Sequence, residues 1–204
     1  MIRNQAEMLL KLESLLKKGG FERAYPPVAK FLLVLGPESD RGLVLAGAAF
    51  IDNSLEKLLR SYLVASPATD KLFSSNGPLS TFSSRNNMAC SLGLIDPVVK
   101  RDIDLIRKIR NEFAHTEKAV ALNSSEASNR VNELACLRDF INLLQGLQEN
   151  AGVLDRLDSI FDGTRIRLLA NIGVLLLYIS DTQQKLKQLV ERENHVDEWN
   201  KLEV

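Results

Sequence analysis

The chain has little of what metal, redox or phosphate-loop chemistry requires. Among its 204 residues there are two histidines, two cysteines and one tryptophan. Cys90 and Cys136 show no metal-ligand spacing, and His195 sits in a charged stretch without a cysteine or second histidine nearby, so no metal site is expected. No glycine-rich phosphate loop, nucleophile elbow or helical histidine pair appears, and no cofactor is implied. Charge of one sign is missing as well. Lysine plus arginine and aspartate plus glutamate both total 26, which removes the global field that draws a protein to nucleic acid or anionic membrane. Nucleic acid as a partner is not supported by that balance, although a local basic patch would escape it. Long hydrophobic runs are absent: Leu168 to Ile179 is broken by Asn171 and too short to cross a bilayer. Met1 to Leu16 mixes charge with apolar residues, unlike a secretory leader. The expectation is a cytoplasmic protein with two reduced core thiols and no membrane partner.

What the chain does have is helical periodicity, almost without strand-like alternation. An apolar content of 45% suffices for a core at this length. The spacing predicts helices over 4–18, stopped by Gly19-Gly20, and over a short stretch after Pro26-Pro27 that ends near Gly36-Pro37. A long helix follows from Ser39 or Asp40 to about Val64. Its Gly42, Ala46, Gly47, Ala48 and Ala49 invite close approach by another helix. Further helices are predicted from Leu79 to Leu92, closed by Gly93, and from Asp96-Pro97 to His115. Two more are predicted, from Asn123 to about Gln148 and from Asp162 to about Arg192. The fold class is therefore all-α, a single helical bundle of about six to seven helices. By domain, residues 1–25 form an N-terminal helix, 26–192 the helical unit and 193–204 a polar tail.

Arg110-Asn111-Glu112-Phe113-Ala114-His115 holds the most informative pairing in the chain. At about 100° per residue, Arg110 falls within the stripe made by Val99, Ile103, Ile106 and Phe113, while His115 lies roughly 140° away beside Asp104, Arg107 and Asn111. An arginine on an apolar face is costly unless paired or facing a cleft. Acids of the long helix within reach include Asp52 and Glu56, and the sequence does not choose between them. His115 stands near a helix C-terminus, where the dipole favours its charged form.

Those six residues resemble the R-polar-x3-H signature of HEPN domains, helical modules of which many are metal-independent endoribonucleases. The resemblance implies that Arg110 would hold the scissile phosphate and His115 would move a proton, while Asn111 would orient one of them. The order of Glu38-Ser39-Asp40-Arg41-Gly42, then Gly77 to Arg85, then Leu92-Gly93-Leu94-Ile95, then the Arg-His helix, resembles the mannitol operon repressor family with its HEPN-like core. That likeness spans about residues 30–190 and implies a transcriptional regulator that acts through a protein partner, with homodimerisation expected. The alternative is a toxin-like HEPN endoribonuclease. In a third reading, Arg110 and His115 only tie helices together.

Weaker signals complete the chain. Ser83, Ser84 and Arg85 crowd a helix start where an anion would dock, joined by Arg107 as a candidate binding group. Plain helix capping is the blander and favoured reading. Lys100, Arg101, Arg107 and Lys108 form a basic ridge offset by Asp102, Asp104 and Glu112, expected to be a solvated face. Leu168 to Ile179 is apolar nearly all round and is expected to be a central core helix.

Overall fold

The computed structural model describes residues 34–115, 121–146 and 163–202, and among these there is no strand. The expected helix over 4–18 lies outside the described residues, as does the one after Pro26-Pro27 up to residue 33; its end is described, with Val34 and Leu35 helical and a turn at Gly36-Pro37. Helix α1 spans Asp40–Tyr62, as its caps predict. Ser39 is extended and its hydroxyl accepts from the Gly42 N–H at 3.0 Å, satisfying a donor that the first turn leaves free. From Leu43 to Leu59 the buried positions recur every three or four residues, so one face enters the core.

Helix α7, Thr164–Leu202, runs beside α1 in the same direction, since Asp40 meets Arg165, Gly47 meets Ile172 and the Lys57 carbonyl meets Gln183. The small-residue expectation is met at Gly47, where a Cβ would stand 2.7 Å from Ile172 Cδ1. The run from Leu168 to Ile179 is core, with Ile172 and Leu175 fully enclosed. Full burial of each such side chain contributes about 1.5–3 kcal/mol. α7 continues past the expected end near Arg192 to Leu202. Nothing between Ser180 and Leu202 is glycine or proline, so no residue there stops it.

The shorter helices come between these two in the chain. Helix α2, Pro67–Phe73, was not expected; Ser66 caps it and Pro67 opens it. Helix α3 spans Phe82–Ser91, beginning three residues later than predicted because Thr81, rather than a residue before Leu79, is the cap. Gly93 closes it at φ 70°, a region that suits glycine. Helix α4 spans Pro97–His115 and buries Val99, Ile103, Ile106, Ile109 and Phe113 against α1 and α3.

One expectation fails in a telling way. The predicted helix from Asn123 to about Gln148 is two helices, α5 at Ser125–Asn132 and α6 at Cys136–Gly146. The break at 133–135 has a cause elsewhere in the chain. Asp102 of α4 is fully buried, and its Oδ2 accepts from the N–H groups of Ala135 and Cys136 at 2.8 and 2.7 Å. Asn171 of α7 offers its Oδ1 to the Leu137 N–H at 3.1 Å. Side chains from two other helices thus cap the start of α6. No residue inside 123–148 announces that.

Candidate functional site: the Arg-His helix

Asp96 starts α4, its Oδ1 accepting from the N–H groups of Val98 and Val99 at 2.8 and 2.9 Å. Nineteen residues later the helix ends at His115, and Arg41 of α1 reaches the Ala114 carbonyl at 3.4 Å. A cation at that end suits the helix dipole.

Arg110 is not buried in the stripe. Its side chain is exposed, and Nη1 donates to Asn111 Oδ1 at 3.0 Å. The buried arc of α4 includes Asp102, Leu105 and Ile109, so its centre lies about 60° from Arg110, and Arg110 sits at the edge of the covered face. Its expected partners are engaged elsewhere. Asp52 Oδ1 meets Arg85 Nη1 at 2.7 Å and Glu56 Oε2 meets Arg85 Nη2 at 2.9 Å. Glu56 Oε1 also accepts from Arg60 Nε at 2.9 Å, and Arg60 reaches Asp70 and stacks over the Phe73 ring at 4.2 Å. The guanidinium that anchors on α1 is therefore Arg85, from α3. Two ion pairs, one to each acid, offset the desolvation of Arg85, while Arg110 stays in solvent and carries no such cost.

His115 is exposed as well, and among the described residues no carboxylate pairs with it or with Arg110. Arg110, Asn111 and His115 thus share one end of α4 and are open to solvent, Asn111 partly so. Glu112, between them, pairs with Arg130 of α5. The remaining candidates do not gather. Ser84 and Thr81 form a reciprocal capping box, with Ser84 N–H to Thr81 Oγ1 at 3.1 Å and Thr81 N–H to Ser84 Oγ at 3.3 Å. Ser83 is half-buried, and Arg85 turns inward to α1. Arg107 lies beside Asp104, with Nε 3.5 Å from Oδ1.

The basic ridge is largely neutralised where it stands. Lys100 bonds Asp104 at 2.6 Å and Arg101 approaches Glu133 at 3.8 Å. Burial pushes the Asp104 carboxyl up, but Lys100, followed by a hydrogen bond from Asn86 and the charge of Arg107, outweighs that and holds it below its ordinary value. What sequence reasoning missed was the buried polar set Asp102, Asn86 and Asn171. A signal existed for two of them: Asp102 lies three residues after Val99 on the apolar stripe, and Asn171 interrupts an otherwise apolar run.

Compared with known proteins, residues 38–159 match the model of the mannitol repressor family. A chain of the solved MtlR-HPr complex from Escherichia coli is similar in fold. The TM-score is 0.58 and the sequences are 17% identical, over 75% of this chain and 98% of that one. No curated protein matches.

Proposed function

The chain belongs to the mannitol repressor family, and from that premise we propose that it regulates transcription by contact with a protein partner, without reading bases itself. The observation that carries this is the fold it shares with a chain solved in complex with HPr. The charge balance agrees, because a base reader draws most of its affinity from phosphate neutralisation. The ridge on α4 that would have supplied such charge is internally paired at Lys100 and Arg107. The partner we propose is a protein of the HPr kind. Calorimetric titration of the full chain with HPr from the same source tests it: saturable binding at about micromolar strength or better is expected. Absence of heat together with tight, sequence-dependent DNA binding by the chain alone would reverse the reading.

A second reading keeps a specific observation in its favour. Arg110, Asn111 and His115 are reachable from solvent, and Asn111 holds the guanidinium in place. In a metal-independent endoribonuclease, Arg110 would bind the phosphate and His115 would move the proton, with a second copy of the chain completing the cleft. RNA incubated with the protein in EDTA, beside His115→Ala, separates the two readings. Fragments ending in a cyclic phosphate that vanish in the variant establish the nuclease; intact RNA in both removes it. Homodimerisation belongs to this proposal, and equilibrium sedimentation showing a monomer at micromolar concentration would remove that part.

A further inference from the structure

A cleft of about 340 Å³ opens between the start of α4, the first turn of α6 and the middle of α7, away from the Arg-His end of α4. Its floor is apolar: Val99, Cys136, Leu175 and Leu177 are buried there, with Phe140 and Val174 half-buried beside them. Among the described residues its rim carries Asp96, Asp139 and Asp181, opposed by one base, Lys185. The described lining thus holds three carboxylates against one ammonium.

We propose that this cleft binds a small organic cation with an apolar body, of the arylalkylamine class. The size is that of small-molecule sites, in which apolar walls supply affinity and a few polar groups set orientation. An excess of carboxylates among the described lining residues favours a cation over an anion. Two of the three acids have capacity to spare. Asp139 is half exposed, and among the described residues it pairs with Arg138, Nε to Oδ1 at 3.5 Å. Asp181 holds Lys185 Nζ at 2.6 Å, but the Lys185 side chain is 71% exposed and free to yield its place to a bound ammonium. Asp96 is committed to capping α4 through Oδ1. Tyr178 stands beside it, and burial together with the Asp96 carboxylate raises the phenol's pKa, so its ring joins the rim as a neutral group. With Phe140 it brings two aromatic rings to the lining, and such rings favour a cation.

The test uses the full chain and three probes of one shape: phenethylamine, phenethyl alcohol and phenylacetate, titrated by calorimetry. Saturable binding of the amine about ten-fold tighter than the alcohol is expected, the size of one hydrogen bond to a charged group. Phenylacetate should not bind. Asp139→Asn and Asp181→Asn should each weaken the amine about ten-fold and leave the alcohol unchanged. Both changes lie on the rim, so folding is not at stake, and Val174→Trp should block all probes by filling the cleft. Equal affinity for amine and alcohol, or an amine affinity indifferent to both Asn variants, overturns the proposal. So does a chain that binds no amine yet loses its protein partner in the Val174→Trp variant; the cleft would then belong to that partner.

Discussion

The contrast between Arg85 and Arg110 shows how little a residue's type says about its role. Both follow hydroxyl or apolar positions on a helix, yet Arg85 is 11% exposed between two carboxylates while Arg110 is open to solvent. Removing the first should be costly. Arg85→Leu strands Asp52 and leaves Glu56 with Arg60 alone, each acid about a quarter exposed, and is expected to lower unfolding free energy by about 2–3 kcal/mol in urea titration. Arg85→Lys should recover only part, because a point charge cannot serve both acids with a fork. A loss smaller than that of an ordinary surface substitution would show the network to be ornamental. What the sequence makes legible of the candidate site is the shared placement of Arg110, Asn111 and His115 at one end of α4. Their exposure was not legible, since a helical wheel places Arg110 near the stripe without saying where the neighbouring helices stop covering it.

At the level of elements, caps within the local sequence predicted well and caps supplied from afar did not. Ser39, Asp96 and Gly93 each lie next to the helix they delimit, while the equally local cap Thr81 sets a start three residues past the expected one. The boundary between α5 and α6 depends instead on Asp102 and Asn171, which lie on α4 and α7. Asp102→Ala would leave two buried N–H groups without acceptors, and a stability loss of about 2–3 kcal/mol is expected by thermal or chemical denaturation. Asp102→Asn, which keeps one acceptor oxygen, should lose less; equal losses would sink the capping account. The turn after α2 makes a second case. A Cβ on Gly77 would lie 2.3 Å from the carbonyl oxygens of both Lys71 and Leu72, and backbone cannot step aside as a flexible side chain does. Gly77→Ala should therefore cost about 2 kcal/mol or more, and a neutral result in the same melt would contradict the packing described.

For the whole molecule, α1 and α7 set the frame, and the alkaline behaviour of one thiol reports on it. Burial first, and the nearby Asp102 carboxylate second, raise the Cys136 pKa above its ordinary 9.0. A raised folded pKa favours the neutral thiol in the native state, so this contribution is fully present below about pH 9 and is lost as pH rises beyond it. Stability of the whole chain should fall on the alkaline side of that value, and Cys136→Ala should flatten the slope. Cys136 should also react slowly with thiol reagents at neutral pH, since it is nearly covered on the cleft floor and burial keeps it a neutral thiol. Rapid labelling of the native protein at neutral pH would mean that this part of the core opens.

The sequence by itself determined the all-helical class, the position of most helix starts and the core identity of the stretch from Leu168 to Ile179. Those features rest on periodicity and on capping residues that act within a few positions of themselves. It also placed the chain near its family through the order of short segments from Glu38 to His115. Tertiary structure decided the rest: which arginine meets Asp52 and Glu56, where the α5–α6 segment breaks, and that an acid-rimmed cleft forms where α4, α6 and α7 meet. Each of these depends on residues dozens of positions apart, whose contact is fixed by how helix faces pack and not by any local preference.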